Sequence, residues 1–462
     1  MTFDARSGSW VDQDNAALLT DLYELTMAAS YFKRGMNEPA TFDLFVRDLP
    51  PRRNFLVVCG LEQALDHLET MTFDADSLGY LESLGMFDAA FLEYLSGFSF
   101  SGDVWAMAEG EVAFAREPLV SVTAPLIEAQ LVETFLLNCI TFQTMVASKA
   151  ARVSIASGDR SFMDFSLRRD HGADAGLKAA RAAYIAGAAS TSNVLAGRFF
   201  GIPVSGTMAH SYVMAFDSEA DAFRAFAEDF PKRAVLLIDT FDVIEGARKA
   251  VEVARELAPQ GVKLAGVRID SGDLAEVTRE VRTVLDDSGF AETKIILSGD
   301  LDEYRIASLC ADGVPVDLFG VGTQLGTSAD SPYLGGVYKL VEDHNGPKIK
   351  LSTGKVTLPG RKQVHRFISD GRIRHDVISL RDETIPGSHP LVCQVMRGGE
   401  RTDDRETLEQ MQARCLGAIE KLPPELTALE SSSRFEVWLS AGLEALSDRL
   451  TEHHRRSARL RD

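Results

Sequence analysis

Three short segments in the middle of the chain place carboxylates, hydroxyls and glycines where a phosphorylated sugar can be held. VRIDSGD (267–273) carries Arg268 and Asp270 two residues apart, on one face of a strand, and then turn residues that open a helix. SGD (298–300) repeats that turn with Gly299 and Asp300. GVGT (320–323) sets Gly322 and Thr323 where backbone amides can come close to an anion. Together they read as a ribose-phosphate pocket, with amides and Thr323 for a phosphate and carboxylates for ribose hydroxyls and Mg²⁺. Any one of them is equally a helix cap after a strand. Three at successive strand ends are a stronger signal.

His210 closes the segment IPVSGTMAH (202–210), which also holds Thr207. A lone histidine is more often structural than catalytic, but one at the C-terminal end of a strand stands where barrel chemistry occurs. Asp239 and Asp242 end the next apolar run and are candidates to orient the imidazole or hold a metal. Phe165 precedes the pair Arg168 and Arg169, a pattern suited to a planar anion through ring stacking and a forked carboxylate contact. Arg169 reads better as a surface ion pair.

Elements must position these groups. From about 150 to 345, short apolar runs recur at 161–169, 202–210, 234–242, 263–273, 294–303 and 317–325, with helices expected at 244–258, 274–287 and 302–312. Buried strands alternating with helices predict a parallel sheet, as an α/β barrel or, failing that, an open doubly wound sheet. Residues 1–148 mix a helix over 18–32, a strand over 41–46, further strands over 110–124 and a long helix over 125–148. The segment 346–462 begins with a basic strand-like stretch (347–368) and ends in a helical tail, its last basic cluster read as solvated and frayed. The division is therefore 1–148, 149–345 and 346–462.

Length and composition set limits. A chain of 462 residues exceeds what one core holds, so two or more domains are expected. Lys and Arg number 48 against 68 Asp and Glu, a formal charge of −20, which argues against nucleic acid as a partner. Five scattered cysteines without a CxxC suggest neither a disulfide framework nor a zinc site. No secretory signal or membrane span is read from the sequence, so a cytoplasmic protein without membrane partners is expected.

Six motifs taken in order, LLTDLYELTMA (18–28), FSLRR (165–169), STSNVLAGRFFGIPVSGTMAHS (190–211), GVRIDSGDL (266–274), GVGT (320–323) and LGGVYKLV (334–341), resemble the nicotinate phosphoribosyltransferase family. The resemblance covers about residues 18–368. It implies an irregular α/β barrel of the type II phosphoribosyltransferase kind, with a second α+β domain formed by the N- and C-terminal segments. It also implies an ATP-dependent, ligase-type enzyme of NAD salvage, which forms nicotinate mononucleotide from nicotinate and phosphoribosyl pyrophosphate. Mg²⁺ would be the cofactor, ATP a co-substrate and a homodimer with shared active sites the assembly.

Carried over, His210 matches the histidine that ATP phosphorylates. Tyr23 and Phe165 match the aromatics on either side of the pyridine ring, Tyr23 being supplied by the other subunit. Arg168, Thr207 and Arg268 match nicotinate-contacting positions. Asp239 and Asp270 match catalytic carboxylates around ribose and metal, and Gly299, Asp300, Gly322 and Thr323 match the phosphoribosyl site. One rival is the sister activity on nicotinamide, which resembles this architecture with an acidic residue where this chain has Asn193. Another is a non-catalytic nucleotide-binding protein on the same scaffold. An aldolase or isomerase barrel would want a strand-borne lysine, and these strand ends have none.

Overall fold

A computed structural model describes residues 11–352, 357–430 and 433–459. The chain divides into two compact units, residues 149–332 and residues 1–148 with 333–462. The stretch 333–345, grouped with the barrel on sequence grounds, supplies the strand Gly336–Asp343, which pairs antiparallel with Pro39–Val46. The change of unit therefore falls at 332/333.

The middle unit is a six-stranded parallel sheet in the order Ser190–Thr191, Ser161–Asp164, Leu318–Val321, Lys294–Leu297, Leu264–Ile269 and Ala234–Leu237. Phe162, Leu237, Val267, Ile295, Leu297 and Phe319 are buried along it. Among the described residues no ladder joins its two edge strands. The segment 202–210, expected as a strand, contributes only a bridge from Val204 to Thr191. Pro203 has no N–H to give a ladder, and Gly201 in the left-handed region turns the chain just before it. The sixth strand is Ser190–Thr191 instead, and His210 opens the short helix His210–Met214 rather than closing a strand.

The helices Val243–Leu257, Leu274–Asp287 and Glu303–Ala311 follow their strands closely, within a residue of the expected bounds. Each starts on an aspartate whose side chain accepts backbone N–H groups of the first turn: Asp242, Asp273 and Asp302. This assigns Asp242, a candidate metal or imidazole partner in the sequence, to capping.

In the other unit, a seven-stranded antiparallel sheet runs Gly346–Pro347, Gly336–Asp343, Pro39–Val46, Pro118–Pro125, Asp103–Met107, Val392–Arg397 and Glu400–Arg401. Both ends of the chain contribute strands. A four-stranded sheet of His389–Pro390, Lys362–Ser369, Arg372–Leu380 and Val437–Leu439 belongs to the same unit. The expected helix over 18–32 is Leu22–Lys33, preceded by the 3₁₀ turn Ala16–Leu18. That over 125–148 is two helices, Leu126–Leu131 and Glu133–Ser157. The basic end of the tail is part of the helix Ala441–Arg459. No helix among the described residues is long and apolar enough to cross a membrane.

Candidate active site

Arg268 is the hub of the constellation. It projects from Leu264–Ile269 and donates from Nε to Ser298 Oγ at 2.9 Å. Its Nη1 donates to Thr207 Oγ1 at 3.0 Å and to Met208 O at 3.3 Å, and its Nη2 to Asp270 Oδ1 at 3.1 Å. The guanidinium also sits over the Phe165 ring, 5.8 Å from its centroid. One side chain thus joins four strand ends or loops.

Asp270 collects charge-assisted bonds from Arg268 and the Ser298 hydroxyl. Burial raises its pKa, but Ser298, Arg268 and His210 together outweigh burial and hold it below the ordinary aspartate value. Its Oδ2 lies 3.9 Å from His210 Nε2. The other imidazole nitrogen, Nδ1, pairs with Thr240 Oγ1 at 3.1 Å, and the ring is 39% exposed.

Asp239 is buried, and its Oδ2 accepts the Asp270 N–H at 2.9 Å and Ser271 Oγ–H at 2.6 Å. Its Oδ1 is buried with no hydrogen-bond partner. A buried carboxylate oxygen in that state suits a cation brought by a ligand. Among the described residues no group of three His, Cys, Asp or Glu is arranged as a preformed metal cage. Mg²⁺ needs none, since it takes one or two carboxylates and completes its shell with water and substrate phosphates.

Gly299 explains the closeness of adjacent strand ends. It adopts φ +92°, and a Cβ there would lie 2.0 Å from Asp270 O. Gly320 does the same for Phe165, whose ring a Cβ would meet at 2.7 Å. The Phe165 N–H donates to Val321 O at 2.8 Å, which places it next to Gly322 and Thr323.

Thr323 is half-buried at the start of the four-residue helix Thr323–Gly326, with Gly322 as the preceding residue. Arg168 and Asp300 are exposed, and neither makes a hydrogen bond or ion pair to a described residue. Thr207, Phe165, His210, Asp239, Asp270 and Arg268 therefore form one bonded or ring-contact network, and Arg168, Asp300, Gly322 and Thr323 stand on the same strand ends outside it.

Tyr23 lies in the other unit, on Leu22–Lys33, with 47% of it exposed. Its helix is tied down by Glu24, a fully buried carboxyl that accepts hydrogen bonds from Thr20 and from Thr134 Oγ1 at 2.7 Å. Burial pushes the Glu24 pKa up to about 7. Burial, then Glu133, Glu24 and Asp21, raise the pKa of Tyr23 as well.

Asn193 does not face a ligand through its amide. Its Oδ1 accepts from the Leu195 and Ala196 N–H groups, and its Nδ2 donates to Gly176 O at 3.1 Å. It is a buried helix cap, so the contrast with nicotinamide enzymes drawn on this position loses its direct basis. Ser298, Thr240 and Ser271 were not singled out as site residues by sequence reasoning. All three sit within two residues of a candidate, in SGD, DTFD and DSGD, which is the signal that could have found them.

Family models match in order along the chain: the nicotinate phosphoribosyltransferase N-terminal domain at residues 18–141, the nicotinate phosphoribosyltransferase family at 160–342 and the nicotinate phosphoribosyltransferase C-terminal domain at 388–447. The chain is 46% identical over 423 residues to a Mycobacterium tuberculosis protein named nicotinate phosphoribosyltransferase pncB2, covering 91% of each. It is 45% identical over 382 residues to the Bacillus subtilis nicotinate phosphoribosyltransferase, covering 80% of this chain and 78% of that one. The crystal structure of human nicotinic acid phosphoribosyltransferase superposes with a TM-score of 0.85 at 29% identity, over 93% of this chain and 99% of that one. The chain belongs to the nicotinate phosphoribosyltransferase family.

Proposed function

We propose that this protein joins nicotinate to the phosphoribosyl group of 5-phosphoribosyl 1-pyrophosphate, giving nicotinate mononucleotide and pyrophosphate in NAD salvage. The observation that carries the reading is the Arg268–Asp270–Asp239 array beside His210, on a chain whose relatives bear that enzyme's name. The pyridine nitrogen forms the new bond to the anomeric carbon, and the C–O bond to pyrophosphate breaks with its electron pair leaving on oxygen. Positive charge grows on the sugar as that bond lengthens, and fixed carboxylates stabilise it without reorganising. Arg268 keeps Asp270 ionised and oriented, and Phe165 offers a ring face to the pyridine. Arg168, exposed and unpaired among the described residues, pairs with the carboxylate of nicotinate. The amides around Gly299, Asp300 and Gly322, with the Thr323 hydroxyl, receive the phosphoribosyl group.

Asp239, through its unpartnered Oδ1, and Asp270 would hold Mg²⁺, which when bound neutralises charge on the leaving pyrophosphate. ATP acts through His210: the γ-phosphoryl group passes to the imidazole, ADP leaves, and hydrolysis of the phosphohistidine couples ATP consumption to synthesis. Thr240 holds Nδ1, so Nε2 is the nitrogen left to take the group. The assembly is a homodimer in which the partner subunit's Tyr23 covers the pyridine ring, consistent with the exposure of Leu22 and Tyr23 on their helix. The parallel sheet corresponds to an irregular barrel, its C-terminal strand ends carrying the site.

The test is mononucleotide formation from nicotinate and from nicotinamide, each with and without ATP. Product from nicotinate, increased by ATP, is the expected result. Equal use of nicotinamide would overturn the substrate, and indifference to ATP would overturn the coupling.

A further inference from the structure

The unit formed by residues 1–148 and 333–462 contains a cavity of about 400 Å³ that the chemistry above does not use. Its floor is one face of neighbouring strands. Asp103 and Trp105 stand on Asp103–Met107, and Gln394, opposite Trp105, stands with Arg397 on Val392–Arg397. Asp103 and Trp105 are two apart and so share a face. Arg361, Arg381 and Asp382 stand in the wall, beside Thr123 and Gln363.

Arg381 sets the chemistry of this space. Its guanidinium lies over the Trp105 ring, 4.5 Å from the centroid, and its Nη2 donates to Ser121 Oγ at 2.9 Å. Its Nε is buried with no hydrogen-bond partner. A buried cationic donor left unmatched is costly, and buried guanidinium groups are ordinarily paired. Burial disfavours its charge; Asp43 offsets this in part, Arg361 works against that relief, and the balance leaves the pKa below that of an ordinary arginine. Arg361 uses Nε on Glu342 at 3.0 Å and Arg397 uses Nη2 on Gln394 at 2.8 Å, so each keeps further N–H groups for another acceptor.

Three guanidinium groups from separate segments line this one space, and the N–H groups that Arg361 and Arg397 keep free make it a phosphate-binding arrangement, since phosphate oxygens accept forked N–H pairs. The volume falls within the range of about 300–1,000 Å³ usual for small-molecule sites, well beyond a bare phosphate. Asp103 and Asp382 add acceptors for hydroxyl groups beside the arginines. We infer that this cavity is a second ligand site, which takes the phosphate monoester of a hydroxylated body such as a sugar phosphate or a mononucleotide.

Trp105 supplies the measurement. The chain has three tryptophans, so Trp10→Phe with Trp438→Phe leaves Trp105 as the reporter. In that full-length background, ribose 5-phosphate and adenosine 5′-monophosphate are titrated against Trp105 emission, with inorganic phosphate as a third arm. A saturable change is expected with one or both esters, with phosphate at least about tenfold weaker. Arg397→Gln, at the exposed rim, should weaken the response about tenfold, the scale of one lost charge-assisted hydrogen bond. Arg381→Met, which keeps an apolar stem over the ring, should abolish it. The response should persist in His210→Asn. No saturable change with either ester, phosphate binding as well as the esters, full retention in Arg397→Gln, or loss in His210→Asn would each overturn the assignment.

Discussion

Asp239 accepts the backbone N–H of Asp270 at 2.9 Å, so the two candidate catalytic carboxylates are locked to one another through the main chain. Ser271 adds its hydroxyl to the same oxygen at 2.6 Å, while the second oxygen of Asp239 stays buried without a partner. The side chain thus has a structural half and a half available for chemistry.

That division can be separated by Asp239→Asn. An asparagine can place its carbonyl oxygen where Oδ2 stands and keep both donors, while its amide nitrogen replaces the unpartnered oxygen. The fold should survive, with an unfolding midpoint close to that of the parent. Turnover should fall by about 10²–10³, the scale for losing one preorganised electrostatic contact. Turnover near the parent's would show that Oδ1 takes no part in the reaction.

The two arginines near Phe165 should behave differently on substitution. Arg168 is exposed and without a partner among the described residues, so Arg168→Ala breaks no bond within them and tests the proposed nicotinate contact. It should raise the KM for nicotinate, with a loss on the order of 1.5–3 kcal/mol, the scale of a hydrogen bond to a charged group, and leave that for phosphoribosyl pyrophosphate nearly unchanged. Arg268→Lys breaks a fork that bonds Ser298, Thr207, Met208 and Asp270 at once, and lysine cannot reproduce it. Turnover and thermal stability should drop together. Equal effects of Arg168→Ala on both substrates would assign Arg168 to phosphate or structure instead.

Most of the parallel sheet was legible because five of its strands lie in short apolar runs, and three of its helices because an aspartate cap follows the strand by four or five residues, as in 264–287. The segment 202–210 looked like another such run, yet Pro203 and Gly201 made it a loop that ends in a helix. The same aspartate-rich turns made capping and chemistry hard to tell apart. Asp242 and Asp239 differ by three positions and look alike in sequence, and only backbone geometry sends one to the helix amides and the other to Asp270. Asn193 shows the same ambiguity, since its amide caps a helix at a position that reads equally as a ligand contact. The hydroxyls that tune the site carry no sequence signal of their own, because Ser and Thr are frequent in turns.

One of those hydroxyls gives a pH prediction. Ser298 donates to Asp270 Oδ1, and its bond is the largest of the effects that lower the Asp270 pKa against burial. A carboxylate with a depressed folded-state pKa contributes stability above its ordinary value of 3.8, and that contribution is lost as pH falls through the folded pKa. Ser298→Ala should raise the Asp270 pKa. The acid limb of the kcat/KM profile should then move to higher pH, and stability should begin to fall earlier on acidification. An acid limb in the same place as the parent's would mean that Asp270 ionisation does not control the rate.

The bond between His210 and Thr240 makes the last prediction. Thr240 Oγ1 is 3.1 Å from Nδ1, while Asp270 Oδ2 lies 3.9 Å from Nε2. A hydroxyl on one imidazole nitrogen fixes the ring orientation and leaves the other nitrogen free to react. In the phosphoryl transfer proposed above, Thr240 would position the imidazole rather than meet the sugar. In Thr240→Val the ring loses that partner but the phosphoribosyl pocket keeps every contact described above. Labelling from γ-labelled ATP should fall about tenfold, the low end for a group that orients a catalytic imidazole. The label in the parent should be acid-labile and base-stable and should vanish in His210→Asn. The ATP-independent rate and the nicotinate KM of Thr240→Val should stay within about twofold of the parent, and Thr240→Ser should restore labelling. Labelling at the parent's rate in Thr240→Val would remove Thr240 from the phosphoryl step, and an equal fall in the ATP-independent rate would make its role structural.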